Sequence, residues 1–310
     1  MVPTGYDHLL IDMKNLLYRS FFTGFYDKAF KASGRDYMCI VMNFISGYVS
    51  KFRPKAVHVF WDAPRQEVWR RAIMPDYKEH RAEMYKDLEV NVQDEIGRLI
   101  ELSTEFLKAF GIHQYFREGQ EADDLVYAFC AANRSARTVM ISSDGDYRQI
   151  IFNYKNVDLY NPLDKTKQLV PVPEHDPSIY KALVGDKSDN IKGYFRLQKK
   201  KALIYVTDLK ARGEFFASPK AAIKDESGKL VVVGAEHFKR NLGLVDLSLC
   251  PHLLDNLMYV TGKLIKPVKF SRQRIEETIS KHKLRGLTAE LGRYTAPFIT
   301  GVNDGYVACG

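Results

Sequence analysis

Three short apolar runs of this chain each lead into aspartate. Leu9-Leu-Ile11 is followed by Asp12, Val57-His-Val-Phe-Trp61 by Asp62, and Val139-Met-Ile141, after two serines, by Asp144 and Asp146. Short runs without polar alternation are those of strands buried on both faces, as in parallel sheets covered by crossover helices. The strand candidates are Asp7–Ile11, Ala56–Trp61, Thr138–Ser142 and Val157–Tyr160. Between them Met38–Phe52, Val92–Phe110 and Ala122–Ala132 read as helices. In the last, Ala122, Leu125, Val126 and Phe129 share one face at i, i+3, i+4 and i+7. Strand–helix alternation over the first half predicts an α/β fold with a largely parallel central sheet and helices on both faces.

Two segments depart from that plan. Pro64–Asn91 is rich in charge, with Arg65, Arg70, Arg71, Lys78, Arg81 and Lys86, and poor in apolar period. It is expected to leave the sheet as a partly helical excursion. After about residue 185 strand signals thin out and a smaller, mainly helical C-terminal domain is expected, giving domains of 1–185 and 186–310. Within the second, Pro219–Gly234 reads as a hairpin turning near Ser227-Gly228.

The 310 residues carry a net charge of +8. Seven Lys/Arg against Asp208 lie between Lys192 and Arg212, and eight against Glu276 and Glu277 between Tyr259 and Arg285. The acids cluster before residue 190, so a basic rim around an acidic centre suits a polyanionic partner. Cys39, Cys130, Cys250 and Cys309 form no close pair, and neither a disulfide framework nor a zinc site is suggested. No apolar run reaches the roughly 18–20 residues of a membrane span. The N-terminus lacks the basic-then-apolar order of a signal peptide, and an intracellular (cytoplasmic) protein is expected.

In a parallel sheet, ligands bind in the crevice at the carboxyl ends of the strands. Asp12, Asp62, Asp144 and Asp146 would all reach that edge. One such aspartate serves equally well as a helix or turn cap; delivery from three strands asks for more. Glu121, Asp123 and Asp124 open the helix after Gly119-Gln120, more acid than a helix dipole calls for. Asp186 and Asp189 add a pair three apart, which alone also fits an Asx turn. Two carboxylates about 4 Å apart repel by about 4 kcal/mol at an effective dielectric near 20. Such a cluster must protonate, spread or bind cations. All-oxygen ligands favour Mg²⁺ or Mn²⁺, and two such ions are a recurrent device for phosphodiester hydrolysis.

Taken in order, Ile11-Asp12 with Asn15-Leu16 and Tyr18-Arg19, Phe60-Trp61-Asp62, Tyr77-Lys78 with Arg81, Glu121-Ala-Asp-Asp124, Ser143-Asp-Gly-Asp146 and Gly185-Asp186 with Asp189-Asn-Ile191 resemble the 5′-nuclease family. That family includes flap endonucleases, the 5′-nuclease domain of bacterial DNA polymerase I, and stand-alone phage 5′ exonucleases. The match spans about residues 7–200, and the chain looks most like the phage type. The resemblance implies a Mg²⁺-dependent 5′–3′ exonuclease and flap endonuclease acting in DNA replication. Asp62, Glu121, Asp123 and Asp124 would serve one metal, with Asp12 reaching it through water. Asp144, Asp146, Asp186 and Asp189 would serve the second. Residues 64–91 would form a helical arch carrying Lys78 and Arg81, with Lys78 approaching the scissile phosphate. A solvated helix face is the other reading of these two side chains. Arg70, Arg71 and Tyr77 are placed with the DNA-binding residues. DNA with 5′ ends, flaps or RNA primers would be the partner, with replication proteins left open and no membrane role.

The chain departs from the family after Asn190. The glycine-rich helix–hairpin–helix turn that usually grips duplex phosphates, often with potassium, is replaced by Ile191-Lys-Gly-Tyr-Phe-Arg-Leu-Gln-Lys-Lys-Lys201. Lys192, Arg196, Lys199, Lys200 and Lys201 would supply side-chain phosphate contacts instead, or form a solvated face. Two rivals remain open: a metal-dependent ribonuclease on structured RNA, and a non-catalytic DNA-binding relative.

Overall fold

A computed structural model describes residues 5–79, 88 and 90–301. The first half runs β1 (His8–Asp12), α1 (Met13–Tyr26), α2 (Lys28–Ser33), α3 (Met38–Phe52), β2 (Ala56–Phe60), α4 (Arg70–Ile73), α5 (Val92–Ala109), β3 (His113–Tyr115), α6 (Ala122–Ala132), β4 (Thr138–Ile141), α7 (Arg148–Asn153) and β5 (Val157–Tyr160). Then follow α8 (Pro177–Val184), β6 (Gly185–Asp186), β7 (Ile191–Lys192), α9 (Lys199–Thr207), α10 (Leu209–Phe216), β8 (Ala222–Lys224) and β9 (Leu230–Val232). The described chain ends with α11 (Gly234–Val245), α12 (Leu253–Leu264), α13 (Arg272–His282) and α14 (Leu287–Gly301).

Five strands form one parallel sheet in the order β3-β2-β1-β4-β5. The chain winds one way from β1 to β3 and the other way through β4 and β5. The switch point therefore lies between β1 and β4, where a doubly wound sheet opens a crevice at its carboxyl edge. Alternate residues face opposite sides. Leu9, Ile11, Val57, Val59, Val139 and Ile141 pack against α1, α3 and α5. Leu10, Phe60, Met140 and Leu159 pack against α6 and α7.

The expected strands and helices form within a residue or two of their predicted bounds, and the hairpin folds as β8–β9 with Gly228 at φ 81°. β3 was not anticipated; its three residues, His-Gln-Tyr, carry no apolar run. The last helices return to the sheet layers. Ile275, Ile279, Leu287, Leu291, Tyr294 and Phe298 join the α1–α3–α5 core, and Val260 of α12 joins the α6 side. A third core gathers Val68, Met74 and Tyr77 with Leu183, Ile191, Tyr194, Phe215, Phe238 and Leu244. The near limb of the charged excursion is thus packed on α8–α11. Residues 80–87 and 89, including Arg81, lie outside the described residues. Cys39, Cys130 and Cys250 are buried as free thiols; Cys309 also lies outside.

Candidate metal centre

Asp12 closes β1 and caps α1, accepting from the Asn15 amide at 3.0 Å, while Asn15 Nδ2 donates to Ser143 Oγ at 2.9 Å. The first turn of α1 is thereby tied to the loop after β4. In that loop Asp144 caps a single 3-10 turn, accepting from the Asp146 amide at 2.9 Å. Asp62 lies just past β2, accepts from the Ala122 amide at 2.7 Å and pairs with Lys14 Nζ at 3.2 Å. The strand ends thus deliver their carboxylates to one edge. Burial raises the Asp12 carboxyl to about 7, with nearby Asp62 and Asp144 adding to the rise against the Asn15 amide. Burial and then Asp146 likewise raise Asp144.

The acids opening α6 sit deeper. Asp124 is held by Arg70 through Nη1 at 3.0 Å and Nη2 at 2.8 Å, and by Trp69 Nε1 at 3.0 Å. It also accepts from the Glu121 amide at 3.1 Å. Arg70 Nη1 reaches Glu121 Oε2 at 2.8 Å, and its Nε donates to the Leu244 carbonyl at 2.8 Å. Lys78 Nζ lies 2.6 Å from Glu121 Oε1 and 3.9 Å from Asp189 Oδ2. The Tyr77 hydroxyl donates to Glu121 at 3.1 Å and to Asp189 at 3.4 Å. Burial works to raise the Glu121 carboxyl, but Lys78 and Arg70 outweigh it and hold it near 2. Asp123 stands 3.9 Å from Arg70 and is pushed well up by burial; Asp124 and Glu121 add to that rise against Arg70.

Two expectations are corrected here. Arg70, grouped with the DNA-binding side chains, is 1% exposed and fully engaged with Asp124, Glu121 and Leu244. Tyr77 is 3% exposed and points its hydroxyl into the acids instead of presenting its ring for stacking. Charge neutralisation inside the cluster, stronger in a low-dielectric interior, accounts for both placements. Arg71 is half-buried and donates to the Tyr77 carbonyl. Lys192, Arg196, Lys199, Lys200 and Lys201 are all exposed.

The second acid group is compact. Oxygens of Asp146, Asp186 and Asp189 lie within 4.8 Å of one another, the one such group among the described residues. Gly185 and Gly193 make this possible. A Cβ on Gly185 would come 2.2 Å from the Gly193 nitrogen, and one on Gly193 would come 2.0 Å from the Val184 carbonyl oxygen. The backbones on either side of the acidic turn pass that closely. Asn190, at φ 64°, turns its side-chain amide onto Asp76, and the Lys78 amide donates to the Asp189 carbonyl at 3.2 Å. The turn is thereby stitched to the limb carrying Tyr77 and Lys78. Lys181 Nζ stands within the group, 2.5 Å from Asp146 and 2.7 Å from Asp186. Burial raises the Asp186 carboxyl, but Lys181 overrides it and holds Asp186 near 2.

Hard, all-oxygen donors gathered around a lysine ammonium that already stands in for a cation fit a divalent ion such as Mg²⁺ or Mn²⁺. Asp146, Asp186 and Asp189 would hold it. Reading the sequence missed Lys14, Trp69 and Lys181. An apolar bracket of Val68, Trp69 and Met74 around Arg70 was the available hint that this arginine turns inward. No helix among the described residues is long and apolar enough to cross a membrane.

Residues 7–177 match the family model of the 5′-3′ exonuclease N-terminal resolvase-like domain. The 5′-3′ exonuclease of Mycoplasmopsis pulmonis is 26% identical over 220 residues, covering 68% of this chain and 69% of that protein. That of Buchnera aphidicola is 28% identical over 210 residues, covering 63% and 68%. In fold, the chain is similar to the bacteriophage T5 flap endonuclease solved as a pseudo-enzyme–product complex with DNA and metal ions. The TM-score is 0.63 at 17% identity, over 88% of this chain and 97% of that one. With acids at the switch point of a doubly wound sheet and a family match across more than half its length, the chain belongs to the 5′-3′ exonuclease family.

Proposed function

We propose that this chain is a structure-specific 5′ nuclease that hydrolyses phosphodiesters at or near DNA 5′ ends. It would act as a 5′–3′ exonuclease and flap endonuclease, RNA primers included, with two Mg²⁺ or Mn²⁺ ions. One observation carries this reading. Asp146, Asp186 and Asp189 converge within 4.8 Å, Asp62 and Asp144 lie close enough to Asp12 to help raise its carboxyl, and the ammonium of Lys78 is held between Glu121 and Asp189. The similar T5 enzyme was solved with DNA and metal ions, which supports the same partner here.

Asp146, Asp186 and Asp189 would hold such an ion, which when bound would supply an activated water and neutralise charge on the phosphate. Lys78 then has a task that its position suits. Released from Glu121, its ammonium donates to a phosphate oxygen as charge develops there. Its backbone, at φ 56°, is held by the Asp189 carbonyl, so the side chain is presented from a fixed point. Lys192, Arg196, Lys199, Lys200 and Lys201 are exposed beside the acidic turn and would hold duplex phosphates, giving affinity without sequence readout. Arg71 would make a further DNA contact. Asp124 is proposed to fix Arg70 and the start of α6, contributing to the metal site through them.

Product mapping on a 5′-labelled flap duplex tests the reading. Short 5′ products that appear with Mg²⁺ and vanish with EDTA are expected, and their lengths separate stepwise from flap cutting. Tight duplex binding with no cleavage in Mg²⁺ or Mn²⁺ would replace this reading with a non-catalytic one.

A further inference from the structure

Lys181 has no part in the chemistry described so far. It lies in the last turn of α8, five positions before Asp186, with its side chain 17% exposed. Its Nζ is 2.5 Å from Asp146, 2.7 Å from Asp186 and 3.8 Å from Asp189. These are the three carboxylates whose oxygens converge within 4.8 Å. A divalent ion on the same oxygens would sit at about 2.0–2.1 Å from each, for Mg²⁺. An ammonium in hydrogen-bond contact with two of them claims much of the same space, and like charges that close repel strongly.

We propose that Lys181 is a built-in counter-cation of the second metal site, filling it when metal is absent and swinging away when metal binds. This rests on the metal-dependent reading given above. The carboxylates stay gathered without metal because an ammonium satisfies them. Metal must then displace Lys181, so the apparent dissociation constant is the intrinsic one divided by the fraction of molecules with the lysine swung out. Lys181 is a positioning residue in this scheme: it sets the metal concentration at which the site fills and makes no demand on the substrate.

The experiment is Mn²⁺ titration of the metal-stripped full chain, with free Mn²⁺ read by electron paramagnetic resonance. Wild type is compared with Lys181→Met and Lys181→Arg, and circular dichroism checks that each variant folds; Lys181→Gln replaces Lys181→Met if the latter does not. Removing the competing charge is expected to tighten one Mn²⁺ site by about tenfold or more. Lys181→Arg, which keeps the charge, stays near wild type. Adding Asp146→Asn to Lys181→Met abolishes the tightened site. Equal or weaker Mn²⁺ binding by Lys181→Met, with wild type binding normally, overturns this inference alone. Absence of Mn²⁺ binding in wild type and both variants overturns the metal-dependent reading beneath it.

Discussion

Arg70 grips Asp124 through both terminal nitrogens, at 3.0 and 2.8 Å, and each residue is only 1% exposed. Removing one partner of such a pair strands the other charge in the interior. Arg70→Met is expected to cost about 3–5 kcal/mol of folding stability. Arg70→Lys should recover little of it, because an ammonium cannot form the two-pronged contact and leaves Leu244 without its donor. Urea unfolding of the two variants checks this; full recovery by lysine would show that charge alone matters.

Lys78→Ala tests the lysine as the group that meets developing charge. Single-turnover cleavage of a labelled flap should slow by about 100-fold or more, the scale of losing one such donor. An unchanged rate would take Lys78 off the catalytic list.

Asp146→Asn removes one oxygen ligand from the compact acid group. Turnover should fall at least about 100-fold, since even supporting partners of a metal site are worth about 10–100-fold. Flap binding, measured by fluorescence anisotropy, should stay within a few-fold. Near-normal cleavage would contradict the assignment.

Arg196 sits at φ 55°, a conformation that suits glycine. Arg196→Gly should therefore relieve about 1 kcal/mol of backbone strain. The same change removes an exposed positive charge, so duplex affinity should weaken and its logarithmic salt slope shrink by about one. A rise in thermal stability with a lower salt slope is the expected pair of results. An unaltered slope would mean that Arg196 touches no phosphate.

His8, His58 and His113 line up across three strands, with His8 Nδ1 3.0 Å from His58 Nε2 and the His58 and His113 rings stacked at 5.0 Å. Burial lowers all three, and His113 falls to about 4, with His8 and Lys263 adding to the effect. Between the ordinary histidine value near 6.5 and about 4, the unfolded chain binds a proton at His113 that the folded chain refuses. Stability from this group is complete above that window and is lost as pH falls through it. Asp12, raised to about 7, acts with the opposite sign over part of the same range, so the useful quantity is a difference. His113→Gln should flatten the pH dependence of unfolding free energy by up to about 1.4 kcal/mol per pH unit between pH 6 and 5. Identical slopes would show that His113 protonates equally well in the folded state.

Much of the fold is legible in the chain because β1, β2, β4 and β5 are short, mainly apolar runs without regular polar alternation, as two-sided burial requires. The acids were legible because Asp12 and Asp62 follow those runs directly and Asp144 comes two serines later. Their built-in counter-charges were not. Lys14 sits beside Asn15, Arg70 beside Arg71 and Lys181 between Tyr180 and Ala182, and none of these settings names the acid toward which the cation turns. The same holds for the last helices. Amphipathic period says that α12 and α14 bury a face, but not which surface lies beneath it.

That the α1–α3–α5 layer is closed late in the chain, by Ile275, Ile279, Leu287, Leu291, Tyr294 and Phe298, bears on how the protein is made. A chain growing from the ribosome will have assembled all five sheet strands well before α14 exists. Until then the apolar sides of α3 and α5, on which α14 and α13 pack, stand against water. The nascent nuclease is therefore sticky. Fragments cut at residue 185 would inherit that exposed face permanently and should precipitate or recruit chaperones, so dissection of this protein should keep its tail.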